Sequence, residues 1–405
     1  MSNVLAMVLA GGAGERLYPL TRDRAKPAVM FGGIYRLIDI TLSNCLNSHC
    51  TKIMVLVQYK SLSLIRHIRA GWNLFHHDLG EFIEVIPPQK RVGEDWYQGT
   101  ADAIYQNLYS IDHVNPAQVL ILGGDHIYKM DYGEMVAFHR RNEADLTIAT
   151  IEMPVAEASR FGVLGVDYTG KVSSFEEKPA KPCAMPDRPD TALASMGIYV
   201  FDTKILREAC MEDAKESSSH DFGKDIIPKL IKSHRVYAYM FRDENKKSAQ
   251  YWRDVGTLEA YWESNLELVS VDPVFNLYDR DWPIHTLLTN SPPAKFVFAS
   301  EGVRFGAAVD SIVSAGCIIS GGLVKRSVLS PDVRVHSYSH VEESILLPEC
   351  SIGRNSRIRR AIIEKNVHIP ENSVIGYDAV EDAKRFHVTP SGIVVVPNVN
   401  GISEM

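Results

Sequence analysis

The sequence predicts an α/β protein, a doubly wound and mostly parallel sheet followed by a C-terminal parallel β-helix. Three observations predict it. The apolar run Val4 to Ala10 leads directly into Gly11, Gly12 and Gly14, the pattern of a strand buried on both faces and ended by a tight loop. Strand-like apolar runs then alternate with helical patterns through the first two thirds of the chain. Beyond about residue 300, apolar residues recur in steps of six: Ile312, Ile318 and Val324, then Val335, Val341 and Leu347.

In chain order, Lys52 to Val57 reads as a second buried strand, with Gln58 and Tyr59 at its C-terminal end. Arg36 to Ser48 carries Ile38, Leu42, Cys45 and Leu46 at helical spacing, which predicts a helix with one buried face. Ser61 to Ala70 is a further helix and Phe82 to Ile86 a short strand stopped by Pro87 and Pro88. Gly99 and Thr100 open a helix, whose N-terminal N–H groups would be free for an anion or a polar base edge. The strand Val119 to Leu122 ends in Gly123-Gly124-Asp125-His126, and a carboxylate at a strand's C-terminal end suits a Mg²⁺ ligand. Leu146 to Ile151 is a strand, and another ends at Glu177-Lys178-Pro179. Pro179 makes Glu177 and Lys178 protrude, where they can meet sugar hydroxyls and a phosphate. Ser195 and Gly197 stand at the start of the next strand. Asp254, in Tyr251 to Thr257, supplies a second carboxylate.

Residues 272–300, with Pro273, Pro283, Pro292 and Pro293 and no periodicity, read as a linker lying over the surface. The division expected is therefore 1–271 for the sheet domain, 272–300 for the linker and 301–405 for the hexapeptide β-helix, whose stackable end suits assembly. Lys384 and Arg385 in the tail form a basic spot without a matched acid.

Bulk properties exclude several classes. A chain of 405 residues with 45% apolar and 23% charged residues is a globular protein of two or three domains. A formal net charge of −7 argues against nucleic acid as partner. No run reaches the ~18 apolar residues of a membrane span. Six cysteines without paired spacing read as reduced thiols in a cytoplasmic protein. His76, His77 and His126 lack zinc-ligand spacing.

The glycine loop is a phosphate cradle, with Arg16 and Lys26 adding positive charge. It is not a P-loop, because Glu15-Arg16 stand where Lys-Ser/Thr belongs, nor a dinucleotide fingerprint, because Leu17 replaces the third glycine. Leu-Ala-Gly-Gly-x-Gly-x-Arg-Leu, with Pro19-Leu20-Thr21 and Lys26-Pro27, resembles the sugar-nucleotide pyrophosphorylases. Adding Gly124-Asp125-His126-Ile127-Tyr128, Phe161-Gly162-Val163, Glu177-Lys178-Pro179, Ala194 to Tyr199, Tyr251 to Trp262 and Pro292 to Phe296, nearly the whole chain is similar to the glucose-1-phosphate adenylyltransferases, the ADP-glucose pyrophosphorylases of glycogen and starch synthesis.

That resemblance implies a left-handed β-helix and a Mg²⁺-dependent transfer of the adenylyl group of ATP to glucose 1-phosphate, the committed, allosterically regulated step of glycogen synthesis. It implies Arg16, Lys26 and Asp125 as catalytic residues and Asp125 with Asp254 as metal ligands. Leu9, Ala10, Gly11, Gly12, Gly14, Gln58, Gly99 and Thr100 would bind the nucleotide. Tyr97, Gly162, Glu177, Lys178 and Ser195 would bind glucose 1-phosphate. Arg24, Arg36, Lys384 and Arg385 match the family's effector cluster, for a sugar phosphate or other glycolytic intermediate as activator and AMP, ADP or phosphate as inhibitor. A homotetramer is implied as well. Glu15 in the loop, and Asp23 and Met30 where relatives often carry basic residues or His, depart from the family pattern. A pyrophosphorylase for another nucleotide, a catalytically weak regulatory subunit and a hexapeptide acyltransferase are the competing readings.

Overall fold

The structure, a computed structural model, describes residues 1, 3–89, 96–300 and 304–398. Strand Val4–Leu9 lies at the centre of a nine-stranded sheet, paired in parallel with Lys52–Leu56 on one side and Gln118–Gly123 on the other. Phe82–Ile86 extends the parallel part. Helices cover both faces of this part, so its central strands have no polar side and read as continuous apolar runs. Parallel strands share one C-terminal edge, and the segments that follow three of them, Gly11–Ala13, Gln58–Tyr59 and Asp125–His126, are gathered there.

Thr191–Asp202 joins this parallel part to an antiparallel extension. One half pairs with Gln118–Gly123 and Leu146–Pro154, the other with Leu146–Pro154 and Gly162–Val166. Its register slips between Ser195 and Tyr199, where Gly197 has φ 70°. Ser195 and Gly197 thus lie at a bulge inside a twelve-residue strand, not at a strand start, and the bulge re-aims their backbone.

Leu37–Asn47 is buried from Leu37 through Cys45, on every face. Its polar residues are satisfied internally. Asp39 accepts from Trp72 and Thr286 and faces His67 at 2.6 Å; Thr41 donates to Gly123 O and Asn44 to Tyr128 O. A single apolar stripe describes it incompletely because polar side chains with partners bury as readily as apolar ones.

The 272–294 stretch differs from the surface linker expected of it. Phe275 and Ile284 are buried, Trp282 Nε1 donates to Asn44, Thr286 to Asp39, and Lys129 donates to Asn276 O and Asp279. Isolated anchors, each fitting one socket, leave no period in the sequence. The first rung of the coil begins at Lys295, paired with Ile318.

Three sheets, parallel apart from the terminal strand His387–Val388, form the sides of the β-helix, consistent with the left-handed type. Its later coils repeat every 17 residues, as in Val328 against Ile345 against Ile362. Three columns of left-handed corners run along it: Asp310, Arg326, Glu343 and Arg360; Gly316, Asp332, Glu349 and Asn366; Gly321, Tyr338, Asn355 and Asn372. Successive corners are five or six residues apart, so one side of most coils is a residue short. This accounts for the breaks in the six-residue period, such as the five-residue step from Ile358 to Ile363. A serine ladder ties the coils: Ser344 N donates to Ser327 Oγ and Ala361 N to Ser344 Oγ. One side of the coil (Ile345, Ile362, Val395) shares a core with Phe31, Tyr261 and Trp262 of the sheet-bearing part. All six cysteines are free.

Candidate active site

Two adjoining lobes open at the C-terminal edge of the parallel strands. The first, about 650 Å³, is lined by Leu9, Gly11, Gly12, Ala13, Gln58, Tyr97, Gly99, Thr100 and Asp125. The second, about 730 Å³, is lined by Arg16, Gly162, Lys178, Ser195, Trp252 and Asp254. His126, Glu177, Gly197 and Tyr199 form the wall common to both. Every residue expected at the nucleotide lies on the first lobe except Ala10, which is a core residue, and Gly14. Gly14 has φ 64°, and a Cβ there would stand 2.9 Å from Lys26 Cβ, so the glycine both turns the loop and makes room for the lysine. Tyr97, expected at the sugar phosphate, lines the first lobe, and its hydroxyl accepts from Asn107 at 3.0 Å. Arg16 lies on the second lobe, where Gly256 leaves space for it: a Cβ there would meet its guanidinium at 2.9 Å and Asp254 at 3.1 Å.

The helix expected to offer free amides begins at Thr100, yet Ala101 N and Asp102 N donate to His220 O at 2.8 and 3.4 Å. A distant loop caps this helix, and the amides of Ala101 and Asp102 are taken by its carbonyl and are not free for a ligand. Thr100 Oγ1 donates to Asp221 Oδ2 at 3.1 Å, which brings the 219–224 loop, with Asp221 and Lys224, to the first lobe.

At the junction, strand Trp252–Asp254 pairs antiparallel with His126–Tyr128, placing Asp254 opposite His126 and hence beside Asp125. Lys26 Nζ sits between the two carboxylates, 2.7 Å from Asp125 Oδ2 and 3.0 Å from Asp254 Oδ1. Lys26 is 7% exposed. Burial works against its charge, but the two carboxylates outweigh burial and hold its pKa above the ordinary lysine value. For Asp125, burial pushes the pKa up, and Lys26 and His126 more than reverse this, leaving it below the ordinary carboxylate value. Glu177 Oε1 lies 3.3 Å from Lys178 Nζ, and Lys178 is exposed. A Cβ on Gly223 would come within 2.6 Å of the Glu177 carboxylate, and one on Gly162 would meet the Phe175 ring first and come within 2.9 Å of that carboxylate, so Gly223 clears space for the acid and Gly162 for the acid and the ring beside it.

Arg24 and Arg36 line a separate cavity of about 480 Å³ between the sheet-bearing part and the coil, together with Met30, Ser314 and Lys365. Arg24 pairs with Glu364 at 3.0 Å, and Arg36 donates to Ser63 Oγ at 2.6 Å. Lys384 and Arg385 do not line this cavity. They do have matched acids: Lys384 pairs with Glu381, and Arg385 with Asp382 at 3.1 Å, each three residues back across a short helix. Asp23 pairs with Arg22 at 2.8 Å, and Glu15 is exposed.

Sequence reasoning missed His126, Tyr199, Asp221 and Trp252 in the lobes and Lys365 in the cavity. Tyr199 and Trp252 stood inside recognised motifs. Asp221, in a Ser-Ser-Ser-His-Asp loop, and Lys365, at a coil corner, carried no local signal.

Comparison with known proteins now bears on this cleft. The nucleotidyl transferase family matches residues 5–270, and the GlmU-like C-terminal hexapeptide family matches 292–396. A glucose-1-phosphate adenylyltransferase of Koribacter versatilis is 57% identical over 399 residues, 98% of this chain and 95% of that protein. Proteins of the same name from Rhodopirellula baltica and Methylococcus capsulatus are each 54% identical, over 98% and 97% of this chain and 90% and 92% of their own lengths. With likeness running from the glycine loop through the last coils, the chain belongs to the glucose-1-phosphate adenylyltransferase family of nucleotidyltransferases.

Proposed function

We propose that the chain transfers the adenylyl group of ATP to glucose 1-phosphate, releasing pyrophosphate and forming ADP-glucose. The observation that carries this reading is the pair Asp125 and Asp254, converging on one cation at the junction of two lobes. The Lys26 ammonium is a stand-in for a metal ion there, and two carboxylates with phosphate oxygens and water are the donor set Mg²⁺ prefers. Among the described residues no cluster of three or more His, Cys, Asp or Glu side chains could hold a metal by itself, which suits a metal shared with phosphates. Mg²⁺ supplies charge neutralisation at the phosphates when bound.

The protein's own residues bind and orient. Gly11 and Gly12 lay the triphosphate along the loop, with Gln58, Gly99 and Thr100 near the base. Lys178 takes the sugar phosphate, Glu177 and Ser195 the sugar. A phosphate oxygen of glucose 1-phosphate bonds to the α-phosphorus as the bond to the β-phosphate oxygen breaks, its electron pair leaving with pyrophosphate. Arg16 and Lys26 meet the charge that grows on the leaving group. All four charged residues, Arg16, Asp125, Lys178 and Asp254, face the lobes, which favours a catalytic chain over a silent regulatory subunit.

The cavity at Arg24, Arg36 and Lys365 is proposed to hold the allosteric effector, a phosphate-bearing metabolite. A homotetramer in the cytoplasm is the proposed assembly and location; among the described residues no helix is long and apolar enough to cross a membrane. The test is pyrophosphate release with glucose 1-phosphate, Mg²⁺ and each of ATP, UTP, dTTP and GTP. Release with ATP alone is expected. Preference for another nucleotide, or no release from folded protein, overturns the reading.

A further inference from the structure

The arrangement around Lys26 carries a consequence for the order in which ligands bind, and it rests on the reading of Asp125 and Asp254 as metal carboxylates. Lys26 is placed from several directions. It opens the short helical turn Lys26–Ala28, with Pro27 next to it, and its Cβ packs where Gly14 lacks a side chain. Its ammonium stands within 3.0 Å of one oxygen of each carboxylate. A magnesium-sized ion bound by both would sit ~2.1 Å from the same oxygens. An ammonium and a divalent cation cannot both occupy that gap, since like charges at such spacing repel strongly in a partly buried site.

We infer that Lys26 holds the metal position closed in the nucleotide-free protein and so selects the metal–nucleotide complex over free divalent cation. The lysine stem has four rotatable carbons, and its nearest alternative partners are phosphate oxygens lying on Gly11, Gly12 and Ala13, which face the lobe that Asp125 lines. Triphosphate on the loop draws the ammonium off the carboxylates, and the metal carried by that triphosphate takes its place. Free metal has no such help, because it must break two ion pairs and leave Lys26 buried without them. Lys26 thereby has two positions, one guarding the carboxylates and one on the phosphates.

The experiment is Mn²⁺ binding to the full-length, nucleotide-free protein, read as free Mn²⁺ by electron paramagnetic resonance. Wild type is expected to bind weakly at this site. Lys26→Met and Lys26→Gln, each checked for an unchanged melting profile, should bind at least tenfold more tightly, whereas Lys26→Arg should stay weak because a cation is kept. Adding Asp254→Asn to Lys26→Met should abolish the gain. Wild-type affinity in Lys26→Met and Lys26→Gln overturns the inference. If Asp125→Asn and Asp254→Asn nonetheless weaken Mn²⁺ binding to wild type, the metal reading stands while the guarding role fails. If they too change nothing, the metal reading fails.

Discussion

At the scale of single residues, the cleft is made as much by absent side chains as by present ones. Gly162 and Gly223 both leave room for Glu177. Gly223→Ala, whose added methyl meets the Glu177 carboxylate before any other group, should displace that carboxylate and raise KM for glucose 1-phosphate at least tenfold, more than it raises KM for the nucleotide; equal changes in both constants would show a general collapse. Asp125→Asn should lower kcat by two orders of magnitude or more while leaving the melting temperature within a few degrees, since one of the two carboxylates proposed to hold the metal at the phosphates is lost and no cavity is made. Activity within a factor of a few of wild type would remove Asp125 from the chemistry. Lys178→Ala should mainly raise KM for glucose 1-phosphate, because Lys178 is exposed and its only ion-pair partner among the described residues is Glu177.

Elements act by fixing where those residues stand. The coil depends on side chains that close hydrogen bonds from rung to rung. Ser344, fully buried, accepts from Ala361 N at 3.2 Å and donates to Glu342 O at 2.7 Å. Ser344→Ala leaves a buried N–H without its partner and should cost about 1–3 kcal/mol in denaturant unfolding. Beneath strand Leu146–Pro154, the helix Tyr132–Arg141 buries His139 to 1% exposure, 2.8 Å from Thr147 Oγ1. Burial depresses its pKa below the ordinary histidine value, and nearby Asp202 only partly offsets this. The unfolded chain therefore binds a proton more readily than the folded one as pH falls below the unfolded value of about 6.5. Stability from this group is complete above that pH and declines as pH falls towards the depressed folded value. His139→Gln should flatten the melting temperature between pH 7 and 5 relative to wild type; an unchanged slope assigns it to other groups.

For the whole molecule, the coil and the sheet-bearing part are joined by one apolar core and by polar ties such as Arg24 to Glu364 and Trp262 Nε1 to Glu343 O. Both members of the Arg24–Glu364 pair are nearly inaccessible, so Glu364→Ala removes a buried carboxylate from beside a buried guanidinium and should lower the midpoint of denaturant unfolding; an unchanged midpoint would show that the pair adds nothing to stability. Because Arg24 also lines the cavity between the two parts, that substitution should alter any effector response before it alters unstimulated turnover. A change in unstimulated kcat alone would place Arg24 in the catalytic machinery instead.

What could be read from the chain by itself was local. The central strands declared themselves as apolar runs because both faces are covered, and the glycine loop because a phosphate cradle leaves residue types no ordinary turn requires. The coil showed its period because every rung repeats one pattern of inward side chains. What the sequence left undecided depends on pairings between distant segments. Asp254 meets Asp125 only through the register of a two-stranded ribbon, and Lys26 comes between them only because Gly14 is bare. Two amides in the first turn of the Thr100 helix, those of Ala101 and Asp102, are taken by a carbonyl some 120 residues away, and the apparent linker is pinned by single anchors. Such contacts leave no period, since each uses one residue once. The physical reason is range: propensity and alternation act over a few residues, whereas the cleft's charges were set by strand register and packing across the whole chain.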